Sequence, residues 1–206
     1  MKLALTVTIL IIQIISFTQT SDSLKLQKIR DFQTSLNHDY KDKTHSPLTK
    51  KDRRKFKGHH FYDSNLQYRV AATIVLTPES DTFGMKTSTD RKPLYRKYAV
   101  ASFELGGQPL ELSIYQNIKY SQIEGHKNSL FLLFNDLTNG NETYGGGRYI
   151  DLEKSNTNTI IIDFNLSYNP YCHYNSKYSC PIPPSENNLP IPIEAGIKSY
   201  GKAKRH

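Results

Sequence analysis

The side chains best suited to chemistry lie in two polar runs of the C-terminal half, residues 134–149 and 163–196. In the first run, Gly145, Gly146 and Gly147 stand directly before Arg148. Three glycines let the backbone approach a ligand closely, so that consecutive N–H groups can converge on an anion. The adjacent guanidinium can hold a carboxylate or phosphate through two parallel hydrogen bonds. The run predicts an anion site or, alternatively, a glycine bulge at a barrel corner with Arg148 paired to Asp163 or Asp136.

The glycine run does not fit a nucleotide-binding P-loop. Such a loop ends in Lys-Ser or Lys-Thr and opens a helix, whereas Arg148 is followed by Tyr149 and an apolar pattern. The predicted ligand is therefore small and polar or anionic, and no cofactor is predicted. Its predicted contacts, with Asp163 and Asn165 orienting the arginine, are Tyr144, Gly145, Gly146, Gly147, Arg148, Asp163, Asn165, Tyr168 and Asn169.

Carboxylates in the same runs raise the alternative of an enzyme. Asp136, Asp163 and Glu194 are the candidates for a catalytic acid or base in a hydrolase that acts on an envelope or nutrient component. Two carboxylates held ~5–10 Å apart can cleave a glycoside. Spacing along the chain does not bring any two of them together, and Asp136 is equally explained as a turn residue that bonds its own backbone.

The two cysteines, Cys172 and Cys180, are separated by seven residues. A disulfide is the first expectation in an exported chain with only two cysteines. The alternatives are free buried thiols, a metal site or a nucleophile. A zinc site lacks a fourth ligand and the usual Cys-x2-Cys spacing, so no metal is predicted, and a nucleophile needs a base such as His126.

Long motifs stand out in both runs: Asp136-Leu-Thr-Asn-Gly140, Thr143-Tyr-Gly-Gly-Gly-Arg148-Tyr-Ile-Asp151, Asp163-Phe-Asn165, Tyr168-Asn-Pro-Tyr-Cys172, Cys180-Pro-Ile-Pro-Pro184 and Ala195-Gly196. These motifs resemble those of an uncharacterised bacterial family, the domain of unknown function 1684. The resemblance covers most of the chain that follows the N-terminal segment. It implies no activity, because none is established for the family. This sequence departs from the family pattern at His173 and Ile197, where a small residue and a Glu are usual.

The N-terminus has the pattern of a secretory signal. A positive start at Lys2 precedes an apolar run from Leu3 to Phe17, and small residues follow it. We predict a signal peptide over residues 1–20, cleaved after Thr18 or Thr20, and hence a periplasmic or secreted protein. An uncleaved anchor is the alternative, although the run is shorter than the ~20 apolar residues that a spanning helix needs.

The net charge of +8 is concentrated at two places rather than spread over the chain. Residues 41–60 hold eight Lys or Arg against two Asp, and Lys198, Lys202, Lys204 and Arg205 have no acid among them. The rest is close to neutral. This distribution favours solvated surface, or contact with anionic polymers or lipids, over a nucleic-acid groove.

Residues 21–60 are predicted to be helical and residues 61–206 to form a β domain. Apolar residues spaced by three and four predict a helix from about residue 24 to residue 40, and Thr49 with Asp52 resembles a capping box for a second, short helix. From residue 67 onward the period is two, with a hairpin around Gly106-Gly107. Further strands are predicted at 130–134, 148–152 and 160–165.

The predicted fold is mainly β, an antiparallel barrel or sandwich with one or two N-terminal helices packed outside. The family motifs occupy 134–152 and 163–197. Six of the ten prolines lie between residues 170 and 192, which predicts a stiff cover that either walls a pocket or seals one barrel end. We expect a monomer that binds a small polar or anionic ligand; the alternatives are a hydrolase and a structural or partner-binding envelope protein.

Overall fold

The computed structural model describes the backbone of residues 2–201 and the side chains of residues 21–201. The predicted signal segment, residues 1–20, therefore lies outside the residues whose side chains are described. Two helices come first, and seven strands follow them. The helices are α1 (Lys2–Lys41) and α2 (Lys50–Lys55); the strands are β1 (Arg69–Leu76), β2 (Thr82–Gly84), β3 (Leu94–Leu105), β4 (Gln108–Asn117), β5 (Ser129–Phe134), β6 (Arg148–Glu153) and β7 (Thr159–Asp163).

The strands form one antiparallel sheet in the order β6-β5-β4-β3-β1-β7, with β2 added beside β3. Because β6 and β7 stand at the two ends of this order, they are the edges of the sheet. The sheet curls into a half-barrel. The prediction of a mainly antiparallel β fold with an outer helix is confirmed. The predicted hairpin is β3–β4, whose turn places Gly106 at φ +61° and Gly107 at φ +74°, values that suit glycine and match the twist of the flanking strands.

The inside of the half-barrel is an aliphatic core supplied by alternate residues. Ala99, Ala101, Phe103 and Leu105 of β3 are buried, as their period of two predicts. The cover of residues 170–192 is fixed to the sheet by the buried side chain of Asn187. Its Nδ2 donates to the carbonyls of Ser113 and Leu133 at 2.8 and 2.7 Å, so one amide ties the cover to β4 and β5.

The helix α1 and the residues on either side of α2 pack outside the sheet through a separate aromatic cluster, which consists of Tyr40, Leu48, Phe56 and Tyr174. In α1, the apolar residues Ile29 and Tyr40 are buried, and the helix extends on the N-terminal side of residue 24, where its start was predicted. In α2 the predicted cap is present, since the Thr49 hydroxyl accepts the N–H of Asp52 at 3.2 Å. Among the residues that the structure describes, no helix has the length and apolar character needed to cross a membrane.

His59 lies at the centre of that aromatic cluster. Its ring packs edge-on against Tyr40 and Phe56, with centroids 4.4 and 4.8 Å away. Its Nδ1 donates to Asn37 Oδ1 at 2.9 Å, which leaves Nε2 unprotonated and buried without a partner. Burial lowers the pKa of His59 to about 3. The histidine therefore joins α1 to the β domain in its neutral form.

Candidate functional site

Arg148, the residue at the centre of the predicted anion site, is fully buried. Its Nη2 donates to Asp136 Oδ2 and to the carbonyl of Ile193, both at 2.8 Å, and its Nη1 donates to the carbonyl of Ala195. The guanidinium also lies 5.1 Å from the centre of the Phe134 ring. The C-terminal segment thus wraps around the guanidinium. No exposed surface of the guanidinium is left for the predicted anion, and the pairing with Asp136 matches the structural alternative.

The glycines before Arg148 form a turn beneath the cover. Gly147 has φ +86°, and a Cβ added there would lie 2.5 Å from Pro183 Cγ and 2.8 Å from the Phe134 carbonyl. Gly145 and Gly146 keep ordinary backbone conformations. The Gly147 N–H donates to the Tyr144 carbonyl at 3.2 Å. Close packing, rather than convergence of three N–H groups, therefore accounts for the glycine at position 147.

Asp136, one of the predicted catalytic acids, is saturated by protein hydrogen bonds. Its Oδ1 accepts from the N–H and hydroxyl of Thr138, at 2.9 and 2.6 Å, and from the N–H of Ile193 at 3.1 Å. Its Oδ2 accepts from Arg148. A carboxylate with no solvent exposure and four such bonds specifies the fold of its loop and is not open to a substrate.

The other residues of the predicted site hold chain segments together. Asp163 is buried, accepts from the N–H and Nδ2 of Asn165 at 3.1 and 2.8 Å, and lies 3.5 Å from Arg69 Nε. Asp163 was predicted to orient Arg148, but its carboxylate contacts Asn165 and Arg69 instead. The Nδ2 of buried Asn169 donates to the Lys198 carbonyl at 3.0 Å. Glu194 is exposed. Of the three predicted acids, only Asp163 borders the cleft described next.

An open cleft of about 1330 Å³ runs along the exposed side of β6. The loop between β4 and β5 forms one wall, and the start of the cover forms the other. Four large side chains around it remain exposed although they are apolar or aromatic: Tyr120, Ile123, Ile161 and Tyr171. Other lining residues are Lys28, Arg69, Tyr95, Lys119, His126, Phe131, Tyr149, Asp151, Glu153, Tyr168 and Cys180.

The floor of the cleft is a continuous row of aromatic rings. The centroids of Tyr95 and Phe131 are 6.3 Å apart, those of Phe131 and Tyr149 are 4.7 Å apart, and those of Tyr149 and Tyr168 are 5.8 Å apart. The last two pairs meet edge to face, an arrangement that leaves ring faces directed elsewhere. These rings lie on the face of the sheet opposite the aliphatic core, because they alternate with core residues such as Ile150.

Asp151 places a carboxylate among these rings. It stands opposite Phe131 in the β5–β6 register, and both its oxygens lie 2.9 Å from the Tyr168 hydroxyl that donates to them. Asp151 is exposed to solvent in the open cleft. Partial desolvation by the surrounding residues raises the pKa of Asp151, and the bond from Tyr168 lowers it. Burial and the nearby carboxylate raise the pKa of Tyr168 well above its usual value, so the phenol stays a donor.

No lysine, arginine or histidine of the described chain forms an ion pair with Asp151. A carboxylate that is partly desolvated and lacks a counter-ion is attractive to a cation. The faces of aromatic rings attract cations as well. The cleft can therefore hold a positively charged group between Asp151 and the rings.

Sequence reasoning found Tyr168 but missed Asp151, Tyr95, Phe131 and Tyr149. Part of the signal was available. In the predicted strand 148–152, alternation places Ile150 on the core face and Tyr149 with Asp151 on the opposite face. An aromatic residue next to an acid on the outer face indicates that this face is also covered. The contribution of Tyr95, which comes from a distant strand, depends on the sheet order and has no local signal.

Cys172 and Cys180 lie side by side as thiols. The Cys172 N–H donates to Cys180 Sγ at 3.1 Å. The predicted disulfide between them stays a prediction. Within residues 21–201, no group of three or more His, Cys, Asp or Glu side chains is placed to hold a metal ion.

Comparison with known proteins agrees with the motifs. The family described as "Protein of unknown function (DUF1684)" matches residues 54–198, and the chain belongs to this family. No curated protein matches the chain. A similar solved structure is the solution NMR structure of the uncharacterized protein from gene locus rrnAC0354 of Haloarcula marismortui. It is 29% identical, with a TM-score of 0.68, over 87% of this chain and 96% of that one.

Proposed function

We propose that this member of the DUF1684 family is a binding module whose ligand is a small organic cation held in the aromatic cleft. The observation that carries the proposal is Asp151, a carboxylate that forms no ion pair with any residue the structure describes, in a cleft whose floor is aromatic. Binding a cation there replaces the solvation that the carboxylate has lost. It also uses the electron-rich faces of the rings. The ligand is placed in this cleft rather than at Arg148, where an anion was expected, because Arg148 is fully buried.

The aromatic floor favours ammonium groups with alkyl substituents over inorganic cations. A metal ion requires several oxygen or nitrogen ligands, whereas Asp151 offers a single carboxylate that already accepts from Tyr168. An alkylammonium is more easily desolvated and contacts ring faces along its methyl or methylene groups. The cleft volume exceeds the ~300–1,000 Å³ of a typical small-molecule site, so an elongated amine also fits.

The test is a thermal-shift and calorimetric screen of the purified chain with charged and uncharged ligands of the same shape. Choline and its uncharged isostere dimethylbutanol form one matched pair, and a linear diamine with the corresponding diol forms a second. The proposal expects binding of the charged member of a pair only, and its loss in Asp151→Asn. Binding of neutral and charged members with equal affinity, or of anions alone, contradicts it.

Hydrolysis is the second candidate. Asp151 and Glu153 are two residues apart on one strand face, which places their Cα atoms ~7 Å apart, and both line the cleft. Side chains that project from one strand face at this spacing can bring their carboxyl groups within the ~5–9.5 Å that glycosidases use. Turnover of a glycoside that disappears in both Asp151→Asn and Glu153→Gln favours the hydrolase. Binding without turnover favours the module.

Export remains a proposal that rests on the N-terminal sequence. The apolar run from Leu3 to Phe17 with its positive start supports removal of residues 1–20 outside the cytoplasm. The test is the N-terminal sequence and location of the protein recovered from its host. A mature chain that starts near Gln19 or Ser21 outside the cytoplasm agrees with export, and a full-length cytoplasmic chain contradicts it.

A further inference from the structure

We propose that the cation bound in the cleft is the α-ammonium group of a peptide N-terminus, whose first amide also hydrogen-bonds to two free strand edges. The inference rests on the proposed function, because it names the class of ligand for the same cleft. What it adds is the backbone of β6 and β7. These strands are the two edges of the half-barrel, and residues of both line the cleft.

The cleft passes between these two edges rather than over one face of the sheet. Its lining includes Ile150 of β6 and Ile160 of β7, whose side chains belong to the aliphatic core. It also includes Asp151 and Ile161, the next residues of each strand, whose side chains are exposed on the outer face. A cleft that touches residues of both faces is a gap in the wall of the half-barrel.

Asp151 directs its backbone N–H and C=O groups into this gap. In an antiparallel pair, alternate residues bond to the partner strand, and the residues between them face away from it. The Lys154 N–H donates to the Asn128 carbonyl, on the β5 side, at 2.9 Å. Tyr149 faces the other way, since it exchanges two backbone bonds of 2.9 Å with Tyr168. Asp151 lies two residues after Tyr149, so its backbone groups also point away from β5.

Ile161 of β7 faces the gap from the other side. The Ile74 N–H donates to the Asn158 carbonyl at 2.8 Å, so Asn158 and every second residue after it bond to β1. Ile161 lies between two such residues, and its N–H and C=O point away from β1. In the part of the chain that the structure describes, no hydrogen bond reaches these outward groups of Ile161 or of Asp151.

The ends of the gap are closed, so an extended strand has no room to pass through it. At one end, Tyr168 already pairs with the edge of β6 at Tyr149. At the other end, beside the loop that joins β6 to β7, the hydroxyl of Thr157 bonds both the N–H and the carbonyl of Thr159 at 3.3 Å. The space between these ends suits the first residue of a chain, whose remaining residues leave through the open side of the cleft.

The first residue of a peptide supplies every group that this gap lacks. Its α-ammonium group carries the charge that complements Asp151 and contacts the aromatic floor. Its carbonyl and the next N–H provide the acceptor and the donor that the outward backbone groups require. The exposed side chains of Ile161 and Tyr171 beside the gap favour an apolar side chain on that residue. A simple amine carries the charge alone.

The experiment is a calorimetric titration of the full chain with a matched series built on leucine. Leucyl-glycine amide has the ammonium group and the amide, whereas 3-methylbutylamine keeps the ammonium group and the side chain without the amide. The dipeptide should bind at least about tenfold more tightly than the amine, since it adds two hydrogen bonds. The ester analogue, leucyl-glycolamide, should lose about fivefold because it lacks the amide donor. N-acetyl-leucyl-glycine amide, which is uncharged, should not bind.

Amide hydrogen exchange followed by NMR measures the protein side of the same contacts. In the free chain, the N–H groups of Asp151 and Ile161 should exchange faster than those of Ile150 and Ile160, which bond to neighbouring strands. Leucyl-glycine amide should slow exchange at Asp151 and Ile161. Choline, which has no amide, should slow it far less. This comparison uses the wild type only and needs no variant to fold.

The failure of this inference is distinguishable from the failure of the proposed function. If choline and 3-methylbutylamine bind but the dipeptide binds no more tightly, the inference is wrong and the proposed function stands. Slow exchange at Asp151 and Ile161 in the free chain also overturns the inference, because those N–H groups are then already bonded. If no ammonium compound binds, or if Asp151→Asn binds them as the wild type does, both are wrong.

Discussion

Arg148 and Asp136 form an ion pair, 2.8 Å from Nη2 to Oδ2, in which neither side chain has any solvent exposure. The arginine also bonds the carbonyls of Ile193 and Ala195. One buried cation therefore gathers the loop after β5, the start of β6 and the C-terminal segment. Arg148, which the sequence indicated as a ligand-binding residue, instead holds these three segments together.

Removing one member of this pair should be strongly destabilising. Asp136→Asn or Arg148→Met leaves the other charge buried without its partner, which costs about 3–5 kcal/mol. Urea unfolding measures the change. The control is the pair Lys198–Glu142, 3.4 Å apart, whose side chains are 34% and 50% exposed, because breaking such a solvated pair should cost less than about 1 kcal/mol. Comparable losses at the two pairs would contradict a structural role for Arg148.

Gly147→Ala should destabilise the protein far more than Gly140→Ala. Both glycines have positive φ, +86° and +81°, but only at Gly147 does an added Cβ meet other atoms at 2.5–2.8 Å. Backbone strain alone costs about 1 kcal/mol, and overpacking adds ~1–3 kcal/mol at Gly147. Thermal unfolding of the two variants gives the comparison. Equal losses of stability in the two variants would mean that the cover does not pack closely against Gly147.

Acid should unfold the protein partly through His59. The pKa of its ring is about 3 in the folded chain and 6.5 when unfolded, so the unfolded state binds the proton more tightly. The stability contributed by the neutral ring is complete above pH 6.5 and is lost as the pH falls toward 3. His59→Phe should flatten this part of the stability–pH curve. His38→Phe, at an exposed position of α1, should leave it unchanged, and an identical slope in wild type and His59→Phe would refute the assignment.

The fold could be predicted from the sequence more fully than the site. Alternation in β1, β3 and β4 and the Gly106-Gly107 turn are local patterns, and each appears as expected. The role of Arg148 was ambiguous, because the same glycine–arginine run suits an anion or an internal ion pair. Only the position of the segment after Leu189 distinguishes an anion site from an internal ion pair. That segment contacts Arg148 although it lies 45 or more residues away in the sequence. The cleft was missed for a similar reason, since its floor combines β3, β5, β6 and Tyr168, which lies just before the cover.

Tyr168→Phe should raise the pKa of Asp151 further. The phenol bond favours the charged carboxylate, while burial opposes it, so loss of the bond leaves burial unopposed. Because the pKa of Asp151 is raised in the folded state, this group stabilises the protein more as the pH falls through that pKa and less as the pH rises. Cation binding should weaken as the carboxyl becomes protonated. An NMR titration of the carboxyl carbon follows this change. Tyr171→Phe, in the same wall, is the control, and an unchanged pKa in Tyr168→Phe would show that the phenol does not act on the carboxylate.

The account of the cleft depends on the charge of Asp151, and a calorimetric titration of the folded wild type and of Asp151→Asn with choline and dimethylbutanol tests it most directly. The wild type should bind choline and not its uncharged isostere, and the asparagine variant should lose at least tenfold in affinity, about 1.4 kcal/mol. Choline binding that is unchanged in a well-folded Asp151→Asn, or no preference for the cation in the wild type, would contradict the proposed function.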